Sequence, residues 1–264
     1  MRFAYLAVEG PQDVAFIARL LKPHQFTRVT KLDQLDPYWA ALVPRTFPNK
    51  QGDLNQPVAM PQFFKAGDMS VAVQATGGDS KIVPLIMGTL AVLPPAPLEA
   101  VGAILDADSS QTPLKRFLEV RKELLQLEDP TGVKLTVPPQ PGLVSAASPR
   151  CGVFVLPDNQ TEGTLEDILL ECAGTQYPTL LQGAKFFVDA IQLDDPAFVP
   201  EDMREFKKPA GRKKATVASI CGVLKPGRAL QVSLQDNRWL EGPVLALTRV
   251  VAVSQFLKNL LALP

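Results

Sequence analysis

The sequence is poor in the residues from which soft-metal and redox sites are built. Its 264 residues include three cysteines, Cys151, Cys172 and Cys221, and one histidine, His24. The cysteines lie far apart, without the paired spacing of a zinc site, and a lone histidine cannot supply a His-based one. Reduced thiols are expected, and nothing at the N-terminus reads as a signal peptide, so the expected compartment is the cytoplasm. Excess charge is missing too, since 27 Lys plus Arg balance 27 Asp plus Glu. Any nucleic-acid partner must therefore be held by a local basic patch or through bound metal. Long uncharged hydrophobic runs are also absent. The longest apolar tract, Val244 to Leu263, is broken by Arg249, Ser254 and Lys258, whereas a membrane helix needs a run of about 18 uncharged residues. A soluble protein with no membrane partner follows.

What is present suits a folded domain. With 46% hydrophobic and 20% charged residues, the chain fits one sizeable globular domain, or a core domain with an insertion or extension, and disorder is excluded for most of it. Phe3 to Val8 is a short continuous apolar run that ends at Glu9-Gly10-Pro11, a buried strand and a sharp turn, and Asp13 opens a helical Val14 to Leu21. Met69 to Ala75 repeats the pattern, meets Gly77-Gly78, and leads into a helix from Lys81 to Leu93. Val101 to Leu105 is followed by Asp106-Ala107-Asp108 and a helix from Pro113 to Leu127, and a fourth strand, Gly152 to Leu156, stops at Pro157-Asp158-Asn159. Strand, polar turn and helix in repetition predict an α/β fold, a mostly parallel sheet covered on both faces. Pro44 to Pro61 and Pro138 to Pro149 read as irregular stretches. Beyond Glu166 the pattern is helical, at Leu165 to Cys172, Tyr177 to Leu193, Lys213 to Val223 and Val244 to Leu261. The expected organisation is an α/β domain over 1–175, with an insertion around 44–66, and a mainly helical region over 176–264 packed on it.

In such sheets function sits at the C-terminal strand ends, where Glu9, Asp106 and Asp108 fall. Two carboxylates two residues apart suit a hard divalent ion, because Mg²⁺ takes oxygen ligands and typically one or two protein carboxylates beside phosphate oxygens. Glu9 would complete the site from a neighbouring strand, with Asp13 one helical turn away to assist. The plainer alternatives stand beside this: Asp13 and Asp108 as helix caps, and an isolated DxD as a turn.

Val8-Glu9-Gly10-Pro11-Gln12-Asp13 followed by Ile104-Leu105-Asp106-Ala107-Asp108 resembles the Toprim domain of topoisomerases, bacterial primases, small ribosomal-RNA maturases and OLD-type nucleases. The likeness spans roughly Met1 to Glu171, and the Gly77-Gly78 turn looks like that of the stand-alone, OLD-like branch. It implies a Toprim-like (Rossmann-like) sheet with a helical C-terminal extension. It further implies Glu9 as metal ligand or general acid/base, Asp106 and Asp108 as metal ligands, and Asp13 as the second acid of the glutamate motif. Glu166 and Asp167 look like a further acidic element for a second metal, with first-turn helix acids as the alternative. Asp158 reads as a ligand or as the acid of an ordinary turn. Gly77 and Gly78 are assigned to cofactor binding. In the basic segment Lys207 to Lys214, a lysine would stabilise developing phosphoryl charge, and Lys214, which Lys213 matches on sequence grounds, is assigned a catalytic role. The alternative is a solvated basic loop.

The sequence departs from full-length OLD enzymes in having no P-loop. It has no nucleophile elbow, and none of Tyr5, Tyr38 and Tyr177 sits in the context of a strand-cleaving nucleophile. Trp39 and Trp239, with the scattered phenylalanines, are expected in the core or at an interface rather than under nucleic-acid bases. The leading expectation is Mg²⁺- or Mn²⁺-dependent hydrolysis of nucleic-acid phosphodiesters through Glu9, Asp106, Asp108 and Lys214. The alternatives are a non-catalytic nucleotide or nucleic-acid binding module, with a homodimer or protein partner left open, and a pocket in which Asp106 accepts a phosphoryl group.

Overall fold

The structure, a computed structural model, describes residues 1–44, 60–77, 82–94, 96–107, 112–126, 134–196 and 198–264. A six-stranded sheet organises them, in the spatial order β2-β3-β4-β1-β5-β6. Four strands form its parallel part: β1 (Arg2–Val8), β4 (Met69–Ala75), β5 (Leu98–Asp106) and β6 (Arg150–Leu156). β3 (Gln62–Ala66) pairs antiparallel with β4, and the two-residue β2 (Thr27–Arg28) pairs antiparallel with β3. This hairpin edge is absent from the sequence reading, which placed 44–66 in an insertion. Residues 45–59 of that stretch lie outside the described residues.

The near-continuous apolar strands predict burial on both faces, and two clusters deliver it. The period of two sends Ala4, Leu6 and Val8 to one face and Phe3, Tyr5 and Ala7 to the other. The first face is covered by α1 (Pro11–Leu21), α4 (Leu165–Gln176), α6 (Gly211–Leu224), α7 (Leu230–Asp236) and α8 (Thr248–Leu261). The C-terminal helices thus share one core with the sheet. α5 (Pro178–Asp189) meets that core with Ala184 and the partly buried Leu180 and Leu181, and its Phe186 and Phe187 are exposed. The second face carries α2 (Ile82–Leu90), α3 (Pro113–Leu125) and the 3₁₀ turn that buries Trp39. Two glycines let α8 approach the sheet: a Cβ on Gly102 would meet Leu260, and one on Gly152 would meet Phe256. Trp39 and Trp239 are fully buried, as expected, and each indole N–H donates to a serine hydroxyl, Ser70 and Ser233 respectively.

The apolar tract after Val244 is not one helix. Residues Gly242–Ala246 form a 3₁₀ turn, Leu247 is extended, and α8 starts at Thr248. Among the described residues no helix is long and apolar enough to cross a membrane. The three cysteines are buried thiols.

Candidate functional site

The chain leaves β1 into α1 on one face of the sheet and leaves the adjacent β5 into α3 on the other. Neighbouring strands whose connections part in this way open a crevice at their C-terminal ends, the usual ligand position in open α/β sheets. Glu9 ends β1 and Asp106 ends β5, so the topology brings together two acids 97 positions apart.

The contact between them is direct. Glu9 Oε1 accepts the backbone N–H of Asp106 at 3.0 Å. Strand alternation turns Glu9 toward α3, where the Arg116 guanidinium lies 4.0 Å from Oε1, and turns Asp106 toward α1 and α4. Asp106 Oδ1 accepts the Leu165 N–H at 2.9 Å, so the first amide of α4 points at this carboxylate. A third acid comes from α1, where Gly10 is the N-cap and Asp13 the third helical residue. Its Oδ2 accepts the Gly10 N–H at 2.7 Å. Asp13 therefore closes the first turn of α1 without being its N-cap, and its side chain is buried. Glu166 approaches from the first turn of α4 and acts electrostatically on both Asp13 and Asp106.

Neighbouring carboxylates so placed oppose the ionisation of Asp13 and Asp106. Burial pushes Asp13 up to about 7 against the Gly10 hydrogen bond, with Glu166 adding repulsion and Lys214 partly offsetting it. Asp106 is held well above the ordinary carboxylate range, first by burial and then by Asp13, Glu9 and Glu166. The two lysines that sequence could not separate part company here. Lys213 Nζ pairs with Asp167 Oδ1 at 2.6 Å, while Lys214 acts on Asp13. Asp167 Oδ2 also accepts the Thr164 N–H at 2.9 Å, so this residue braces the entry to α4.

The crevice has a third wall. Gly77, after β4, donates its N–H to the Glu9 carbonyl at 3.1 Å, and Thr76 donates to Val8 at 2.8 Å. Gly77 has a φ of +73°, which favours glycine, and no neighbour would obstruct an added Cβ, so conformation rather than crowding fixes its identity. Gly78 and Asp108 lie outside the described residues. Among the described residues, no group of three or more His, Cys, Asp or Glu side chains stands close enough together to hold a metal ion.

Other acids are structural. Asp158 accepts the N–H groups of Gln160 and Thr161 at 3.0 and 2.7 Å, an ordinary turn, and pairs with Arg249 at 3.0 Å. Arg249 also reaches Glu171 at 2.6 Å. Tyr5 is buried, donating to Gln74 Oε1 and accepting from the Thr89 hydroxyl. His24 is half-buried beside the C-terminal Leu263 and Pro264, away from the crevice.

Sequence reasoning missed Arg116. The signal was faint: one arginine among the charges of a helix whose register against the sheet only the fold defines.

The family described as Protein of unknown function (DUF3226) matches residues 4–261. The chain belongs to the DUF3226 family. This DUF3226 chain is also similar in structure to the hypothetical protein PH0156 from Pyrococcus horikoshii OT3. That likeness has a TM-score of 0.47 and 14% identity, covering 98% of this chain and 95% of that one. No curated protein matches the sequence significantly.

Proposed function

We propose that the protein is a divalent-cation-dependent phosphodiesterase acting on nucleic acid, of the Toprim-like kind that its Glu9 and Asp106-Ala107-Asp108 motifs resemble. The observation that carries this reading is the contact of Glu9 with Asp106 at the crevice between β1 and β5, with Asp106 held well above its ordinary range by burial and by the charges of Asp13, Glu9 and Glu166. Like charges in a half-buried site are costly unless a cation relieves them, and a set of carboxylate oxygens suits Mg²⁺ or Mn²⁺.

Glu9 and Asp106 would hold the ion together with Asp108, and Asp13 and Glu166 would add charge beside it. Bound there, the ion would polarise a phosphate oxygen and lower the pKa of a bound water. Glu9 is positioned to take a proton, since the Asp106 N–H fixes one of its oxygens. Lys214, on the rim, brings a positive charge toward Asp13 and toward any phosphate entering the crevice. Asp167 contributes indirectly, by fixing the start of α4 and hence Glu166.

The test is cleavage of single- and double-stranded DNA and RNA with Mg²⁺, with Mn²⁺, and with chelator. Cleavage that needs the ion and is lost in Asp106→Asn supports the proposal. Cleavage by neither ion, or an Asp106→Asn variant as active as the wild type, ends it.

A second reading is favoured by one observation. Glu9, Asp106 and Asp13 each spend an oxygen on a backbone N–H, as acids do when they serve to shape a pocket. In that case the crevice binds nucleotide or nucleic acid without turnover, and the same assay returns retention without product.

A further inference from the structure

A groove of about 630 Å³ opens beside the acidic crevice, between the turns at 199–209 and the first half of α6. Its floor is the face of α6 formed by Ala210, Gly211, Ala215 and Ala218, small residues that leave it open. Lys214 is the one long side chain on that face, and it is also the lysine that acts on Asp13. The groove and the carboxylates therefore share a boundary residue.

The opposite wall carries Asp202, Phe206 and Glu205, whose carboxylate pairs with the Lys208 ammonium at 2.7 Å. Phe206 is held in place twice. The Arg212 guanidinium lies over its ring at 4.9 Å from the centroid, and its backbone presses so closely on Gly211 that a Cβ there would collide with the carbonyls of Glu205 and Phe206. A fixed aromatic ring bordering open space is a stacking surface. The Asp202 carboxylate on the same wall suits base amino and imino groups, and a lysine at the inner end suits a phosphate. The volume falls within the usual range for small-ligand sites, roughly 300–1,000 Å³.

We infer that this groove is a nucleotide subsite: the base stacks on Phe206 against the Asp202 and Glu205 wall, and the phosphate points past Lys214 toward Asp13 and Asp106. This rests on the phosphodiesterase reading for its orientation, and it narrows the substrate to an unpaired nucleotide at a strand end or in a single strand, because a paired base cannot reach the ring. Base stacking at Phe206 would depart from the sequence reading, which took the phenylalanines as core or interface residues.

The experiment is equilibrium binding of the nucleoside monophosphates AMP, CMP, GMP and UMP to the full chain in chelator, where no cleavage occurs. Binding is expected for at least one of them, weakened roughly tenfold or more by Phe206→Ala. Ala218→Trp, which puts a large ring into the groove from an exposed position on its floor, should abolish it. Should none of the four bind, or should both variants bind as the wild type does, the subsite is overturned. Ion-dependent cleavage with no nucleotide binding refutes the groove alone, whereas nucleotide binding without cleavage refutes the phosphodiesterase alone.

Discussion

Two sets of acids flank the entry to α4, and they are built on opposite principles. On one side Asp158, Glu171 and Thr161 converge on Arg249, and every charge meets its opposite. Burial works against Asp158, yet hydrogen bonds from Thr161 and Gln160 and the Arg249 pair hold it below its ordinary range. On the other side Asp106 faces Asp13, Glu9 and Glu166 and is driven well above its range. The first set joins α8 to the loop after β6 and stabilises the fold. The second opposes its own ionisation, and the proposed cation site rests on that opposition.

The sharpest way to break this contrast is to exchange the sets in an activity assay. Asp106→Asn should lower ion-dependent cleavage by about 100-fold or more, while Asp158→Asn leaves it within about twofold; equal losses in a nuclease assay would erase the distinction. Stability should respond in the reverse sense. Arg249→Ala leaves the half-buried Asp158 and the exposed Glu171 without their shared cation and should cost about 1–3 kcal/mol in chemical denaturation.

A third outcome concerns pH. Asp13 has its folded value raised to about 7 by burial, so between about pH 4 and pH 7 the folded chain holds a proton that the unfolded chain has released. Stability therefore falls as pH rises through that window. Asp13→Asn keeps an oxygen to accept the Gly10 N–H but carries no charge, so the slope should flatten and Tm should rise at about pH 7.5. A scan of Tm against pH in which wild type and variant run parallel would contradict this. The smallest effect belongs to the half-exposed Lys213: Lys213→Ala should shift stability by less than about 1 kcal/mol in the same denaturation experiment.

The parallel part of the sheet was legible because its strands are continuous apolar runs, each closed by a polar turn. The hairpin edge was not: β2 is two residues long, and Gln62–Ala66 is too short to show a period beside a stretch rich in Pro, Asn and Gln. α7 escaped for the same reason, with seven residues between Gly227 and Trp239. The break at Leu247 could have been anticipated from Gly242-Pro243, since a glycine at a φ of +60° followed by proline opens a turn of its own. Glu9 and Asp106 were legible because strand ends are readable one strand at a time. That they touch, and that Lys214 rather than Lys213 faces Asp13, depends on strand order and helix rotation, which adjacent residues about 100° apart on one helix do not reveal.

The acids at the ends of β1 and β5 are proposed to gather around a shared cation. The most direct measurement is a crystal soaked in Mn²⁺ and read by anomalous scattering. An ion within bonding distance of Glu9 and Asp106, absent from Asp106→Asn crystals, is the predicted result. Crystals with no anomalous peak in the crevice, or with ions bound only at the Asp158 and Glu171 side of α4, would contradict the account.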